Sequence, residues 1–177
     1  MRTLVLSTLL SICALGASSA QAQRPLLHLE GGADYFFAST QHQEQFTTGV
    51  HGIARLGLEL MGPLSIQVSV SNWWFPNDNG TGRLYAFQLG PRVYFPLFEG
   101  IGGGPVADAN FGLGVTGSLQ RFVFDLGAGW LFPIESWIGV GPMIRYHHIV
   151  QPDSEPLGHD GRLLVFGAQI SLGWPET

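Results

Sequence analysis

The chain has 177 residues, 45% of them apolar and only 12% charged, with a net charge of −5. It contains no lysine; all eight basic residues are arginine. Charge this sparse suits a water-facing surface poorly, since soluble domains carry about a quarter charged residues, and a negative balance without a basic cluster argues against a nucleic-acid partner.

The first residues read as an export signal. Arg2 supplies a positive start, Leu4 to Gly16 is an uncharged apolar run, and Ala20-Gln21-Ala22 offers small residues at a cleavage site. Residues 1–22 are expected to be a signal peptide cut before Gln23, the apolar run being shorter than the roughly 20 residues that a helix needs to cross a bilayer. Cys13 comes after Leu10-Ser11-Ile12, but Ile12 is bulky where a lipidation motif needs a small residue. Cys13 is the only cysteine, so residues 23–177, expected to form one domain, have no disulfide or thiol chemistry. They also lack any run of about 18 apolar residues that would make a transmembrane helix.

From Leu27 onward the chain alternates with period two, the signature of strands. In chain order the apolar faces are Leu27 to Phe37, Val50 to Leu60, Leu64 to Val70, Tyr85 to Phe95, Ala107 to Val115, Phe122 to Phe132, Ile138 to Tyr146 and Leu164 to Trp174. The opposite face of each run is small, polar or charged: Ser65, Gln67, Ser69 and Ser71 in the third, for example. Most runs are long enough for a tilted strand to cross a bilayer, which takes about 9–11 residues. The expected fold is all-β, an eight-stranded antiparallel up-and-down transmembrane barrel with its apolar face outward. The expected place is the outer membrane of a Gram-negative bacterium, with membrane lipid around it. Aromatic residues near the strand ends are expected as two girdles, Phe37, Trp73, Trp74, Phe75 and Tyr85 at one level, Phe95, Phe132, Trp137 and Trp174 at the other.

With both ends of the chain periplasmic, residues 41–47, 77–82, 119–120 and 151–161 fall outside, and 61–63, 96–104 and 133–136 fall on the periplasmic side. Pro91 and Pro142 lie mid-strand, each after glycine, and each is expected to sit in a bulge because proline cannot donate to the ladder.

A barrel of eight strands is just wide enough inside for its own side chains, and an unpaired ion there costs several kcal/mol. Equal depth pairs Arg92 with Asp108 and Asp125 with Arg145, while Arg55 can meet Glu30 or Asp34. These seven residues are expected to plug the lumen with ion pairs; a narrow solute conduit using the same residues is the alternative.

Several motifs lead nowhere. Gly112-x-Gly114-x-x-Gly117 matches a dinucleotide fingerprint in letters, but it runs on into a strand, not a helix. Asn77-Asp78-Asn79-Gly80 opens like a calcium loop with no acidic residue to close it. His147, His148 and His159 flank Asp153, Glu155 and Asp160, but adjacent histidines on a strand face opposite ways. No metal site, cofactor or catalytic set is expected. The His-x-Ser pair of lipid A deacylases is absent, and His159, Asp160 and Ser154 can be nominated for a lipid-modifying enzyme only as the weaker alternative.

The last strand resembles the C-terminal signal of outer-membrane barrels: Trp174 with Leu172, Ile170, Ala168 and Phe166 at every second position before it. The resemblance implies the barrel-assembly machinery as a partner during biogenesis. Gly90-Pro91-Arg92-Val93-Tyr94-Phe95-Pro96-Leu97, Asp125-Leu126-Gly127-Ala128-Gly129, Gly141-Pro142-Met143-Ile144-Arg145-Tyr146 and Gln151-Pro152-Asp153 carry a wider likeness. Over most of residues 27–174 the chain resembles the N-terminal barrel of the outer membrane protein A family, in its myxobacterial and proteobacterial variety. That resemblance implies a structural membrane anchor, sometimes a narrow pore, with outer loops available to an extracellular ligand. The peptidoglycan-binding domain of larger family members is not expected here, because the chain stops at Thr177.

Overall fold

The structure, a computed structural model, describes residues 25–36, 48–61, 63–77, 80–95, 103–117, 119–150 and 160–173. The expected signal peptide, Phe37 and Trp174 lie outside the described residues.

Eight strands run in chain order: β1 Pro25–Phe36, β2 Thr48–Met61, β3 Leu64–Asn77, β4 Gly80–Tyr94, β5 Gly104–Thr116, β6 Leu119–Glu135, β7 Ile138–Val150 and β8 Gly161–Leu172. Each pairs antiparallel with the next, and β8 returns to β1 to close the barrel. The seam is in register along its length, with His28 opposite Ser171 and Glu30 opposite Gln169. Closure leaves no strand edge to attract another chain. One rim, the loop end, carries the connections through residues 37–47, 78–79, 117–118 and 151–160. The other, the terminal end, holds the start of β1 and the end of β8.

The strands outrun the lengths that alternation alone suggests. Aromatic residues favour strands, and Trp73-Trp74-Phe75 carries β3 on until Asn77 faces Gly80 of β4. Of the loop expected at 77–82, residues 77 and 80–82 are therefore paired strand. Leu119 already faces Thr116, across a turn in which Gly117 takes φ 60°, a conformation glycine adopts without strain.

The prolines are not in bulges. Pro91 faces Ile66 on β3 in register, pairing with β5 lapses at Gly90 and Pro91, and it resumes at Arg92 opposite Asp108 in the same register. Pro142 repeats this, paired to Ala168 on β8 and lapsing against β6 before Gly129 faces Met143. An antiparallel residue directs its N–H to one neighbour only, so a proline loses one ladder and keeps the other without an inserted residue. The register shifts that do occur lie at Glu59/Met61 and Pro133/Glu135, near the terminal end.

Alternation sorts the side chains as an inside-out barrel. Leu56, Val70, Phe87, Leu113 and Phe166 stand exposed on the outer wall, Leu56 at 61% of its surface. Charged and amide side chains from the same strands are buried in the lumen, Arg145 and His147 completely. Only lipid makes an exposed apolar wall of this extent favourable.

The lumen is not polar throughout. At the loop end Trp73, Phe75, Leu84, Val123, Ile149, Leu163 and Val165 pack with Ile53 and Ala86 into a buried apolar cluster. At the terminal end Val106, Leu131 and Met143 form a smaller one, with Tyr94 against it. Trp73 and Phe75 are thus lumen residues, not girdle residues. Tyr85, Phe95, Phe132 and Trp137 stand exposed on the wall or its rims.

Candidate functional site

The polar centre of the lumen lies between these two apolar clusters. Its hub is Arg145 on β7. Nε donates to Glu30 Oε1 at 3.2 Å and Nη2 to Glu30 Oε2 at 2.9 Å, a two-pronged grip on one carboxylate. Nη1 donates to Asp108 Oδ1 at 2.6 Å and also to Asp125 Oδ1. One guanidinium therefore serves carboxylates from β1, β5 and β6.

The remaining charges attach to this hub. Arg55 Nη1 donates to Glu30 Oε2 at 2.8 Å. Arg92 Nη1 lies 3.3 Å from Asp108 Oδ2, and its Nη2 donates to Gln169 Oε1 at 2.6 Å. Asn110 Nδ2 bridges Asp108 Oδ1 and Asp125 Oδ1, at 2.9 Å from each, and its oxygen accepts from Gln67 Nε2 at 2.9 Å. Asp34 turns to His51, whose Nδ1 lies 2.7 Å from Asp34 Oδ1. Of the two acids open to Arg55 in the sequence, the structure brings it to Glu30.

Above the network sits Trp73. Its indole stacks on His51 with centroids 4.9 Å apart and packs on His147 at 4.5 Å, and its Nε1 donates to Ser71 Oγ at 2.9 Å. His147 in turn lies 3.8 Å from Asp125. The indole is the joint between the ionic centre and the apolar stopper at the loop end.

All seven charged residues singled out in the sequence face the lumen and are buried. The histidines and amides that complete the network, His51, His147, Asn110, Gln67 and Gln169, were not among them. Strand parity was the signal: each falls on the inward face of its strand, with Asn110 and His147 opposite Asp125 and Gln169 opposite Glu30. Parity also assigns Trp73 inward with Ser69 and Ser71, once β3 is traced past Ser71.

Outside the barrel a second polar group stands near the loop end. Tyr146 Oη lies 3.0 Å from His148 Nδ1, and His148 Nε2 lies 3.0 Å from Asp160 Oδ2. Phe124 stacks on the imidazole at 4.8 Å between centroids. His147 and His148 do face opposite ways, one inward and one outward. His159, Ser154, Asp153 and Glu155 lie outside the described residues. Among the described residues no three histidine, aspartate or glutamate side chains gather as metal ligands.

On β8, Phe166, Ala168 and Ile170 are exposed on the wall and Leu172 is half-buried at its foot. Trp174, the last residue of that series, lies outside the described residues.

No protein-family profile matches the sequence, and no curated protein does. Solved structures do. Neisserial surface protein A is 11% identical, with a TM-score of 0.67 over 85% of this chain and 97% of that one. The N-terminal β-barrel domain of Pseudomonas aeruginosa OprF is 13% identical, with a TM-score of 0.51 over 84% and 97%. The outer membrane enzyme PagL is 12% identical, with a TM-score of 0.53 over 85% and 99%. At such identities the likeness speaks for the fold. The closed register, the lipid-facing wall and this likeness together make the chain a small eight-stranded barrel of the outer-membrane type, similar to the barrel of the outer membrane protein A family.

Proposed function

We propose that the protein is a closed outer-membrane barrel whose work is done at its surface, as a rigid frame for the segments joining its strands at the loop end. One observation carries this reading: the lumen is filled across its width at two levels, by the ionic network around Arg145 and by the apolar stopper around Trp73. A path for solute would require both to move. In this reading the loop end faces outward, the terminal end faces the periplasm, and residues 1–22 direct export. Outer-membrane lipid covers the wall, and Phe166, Ala168, Ile170, Leu172 and Trp174 serve the barrel-assembly machinery. The extracellular ligand belongs to residues 37–47 and 151–159.

The experiment is single-channel recording of the refolded barrel in planar bilayers. Current indistinguishable from the bare lipid is expected. A steady conductance that disappears with a lumen substitution such as Ser69→Trp would make the conduit the correct reading.

A lipid-modifying enzyme is the second reading, supported by the outward-facing series Tyr146, His148 and Asp160. A carboxylate beside an imidazole orients it as a general base, and the series stands on the lipid-facing wall near its rim. His148→Ala would then abolish turnover of outer-leaflet lipid while leaving the barrel folded; unchanged lipid in cells overexpressing the wild-type protein would remove this reading.

A further inference from the structure

The charges of the lumen do not balance on carboxylates and guanidiniums alone. Among the described residues it buries the acids Glu30, Asp34, Asp108 and Asp125 against the arginines Arg55, Arg92 and Arg145. An uncompensated buried charge is strongly unfavourable, so one cation is wanting. The shortfall is local. Glu30, Asp108 and Asp125 all pair with Arg145. Asp34 instead makes its ionic contact among the described residues with His51, and its Oδ2 has no hydrogen-bond partner in the protein.

The imidazoles of His28, His51 and His147 are all buried beside these charges, and their surroundings differ. His28 Nδ1 lies 2.8 Å from Ser171 Oγ at the β1–β8 seam, and Arg55 stands opposite it on β2, where a second positive charge would be repelled. His147 lies 3.8 Å from Asp125, but both its ring nitrogens lack hydrogen-bond partners, and Asp125 already accepts from Arg145 and Asn110. His51 alone lies between two acids. Its Nδ1 is 2.7 Å from Asp34 Oδ1, the short distance of a charge-assisted hydrogen bond, and its Nε2 is 3.5 Å from Glu30 Oε1. A neutral imidazole has a proton on one nitrogen only and would turn a lone pair toward one of these carboxylates. The ring also stacks on the Trp73 indole, with centroids 4.9 Å apart, and an indole face attracts a cation within about 6 Å.

We propose that His51 is an imidazolium at neutral pH, the missing cation of the lumen, holding Asp34 and Glu30 through its ring nitrogens and Trp73 through its face. The competing arrangement places the proton on Asp34 and leaves the ring neutral. An imidazole is the stronger base, with an ordinary pKa of about 6.5 against about 3.9 for an aspartate, and both Glu30 and the indole favour the charge on the ring. The proton thus ties the ionic centre to the apolar stopper. Its release leaves Asp34 and Glu30 facing a neutral ring, with Arg55 on the same strand and Arg145 on β7 still paired to Glu30. Beyond the indole lie His147 on β7 and Asp125 on β6, which make no contact with His51 of their own. The stability that the proton contributes is present while His51 is charged and is lost as pH rises through its release. This holds whether or not the barrel conducts.

The test is nuclear magnetic resonance of the isotope-labelled wild-type barrel in detergent micelles, each imidazole being assigned through bonds to its own backbone, so that the reading needs no variant. At pH 7.5 His51 should show two protonated ring nitrogens, and His28 and His147 one each. A single protonated nitrogen at His51, with the proton on the Asp34 carboxyl or on His147 instead, overturns the proposal. Urea unfolding reads the same charge independently. His51→Gln, neutral but still able to donate to Asp34, should lower the midpoint. Asp34→Asn added to it should restore part of the loss by removing the acid left without a cation. Equal midpoints for wild type and His51→Gln, or no recovery in the double variant, overturn the proposal. Raising the pH until the second ring proton of His51 leaves should lower the wild-type midpoint more than that of the double variant; an equal fall in both overturns the link between the proton and stability.

Discussion

Arg145 on β7 reaches past β8 to grip both oxygens of Glu30 on β1, joining residues that lie 115 positions apart in the chain. The same guanidinium satisfies Asp108 and Asp125, so its loss leaves three buried carboxylates short of a partner. Arg145→Ala should therefore cost about 3–5 kcal/mol, as breaking a buried ion pair does. Glu30→Gln added to it should recover part of the loss by removing one of the stranded charges. Arg145→Lys should fall between, because an ammonium keeps the charge but not the fork. Urea unfolding of the refolded barrel, monitored by the loss of its fast gel band, measures all three.

Trp73 has no exposed surface and touches two imidazoles and the apolar stopper. Trp73→Ala should destabilise by about 3–5 kcal/mol through the cavity it leaves. Trp73→Phe should cost less, losing the hydrogen bond to Ser71 but filling much of the space. In bilayers Trp73→Ala should still pass no steady current, because the network around Arg145 remains below it.

Val70 projects from the middle of β3 and is 60% exposed, whereas its neighbour Ser69 faces the lumen and is buried. An arginine on the lipid face near the midplane costs about 2–4 kcal/mol. Val70→Arg should show that loss in lipid vesicles and a smaller one in detergent micelles, where the charge reaches water more easily. Equal tolerance in both media would contradict the inside-out arrangement.

Gly141 and Gly52 make a matched pair. A Cβ at Gly141 would run into the backbone carbonyl of Trp130 on β6, whereas one at Gly52 meets nothing within 4 Å. Gly141→Ala should force the β6–β7 ladder apart and lower the unfolding midpoint. Gly52→Ala should be neutral, or stabilising by about 0.4–1 kcal/mol through the unfolded chain. Parallel urea titrations of the two variants decide it.

The eight strands were legible because their period is two and their apolar face is nearly unbroken; Leu64, Ile66, Val68 and Val70 against Ser65, Gln67, Ser69 and Ser71 leave little room for another reading. The charge network was legible only in part. Equal depth on adjacent strands suggests partners such as Arg92 and Asp108, but Arg145 meets Glu30 and Asp108 across an intervening strand, which no linear register reveals. The stopper was hidden by chemistry: tryptophan and phenylalanine near a strand end look like girdle residues, and only their parity shows that they turn inward. The His28–Ser171 contact escaped for another reason, since it exists only where the first strand meets the last.

That seam has a consequence for how the molecule is made. Glu30 travels on the first strand and Arg145 on the seventh, so the grip between them cannot form until the eighth strand has docked against the first. An open sheet keeps Arg55 with Glu30, Arg92 with Asp108 and Arg145 with Asp125 on neighbouring strands, but it lacks the link across the seam. Joining the two ends of the ion cluster and sealing the perimeter are thus one event, and a chain truncated before Gly161 should lose that link while its neighbouring-strand pairs persist.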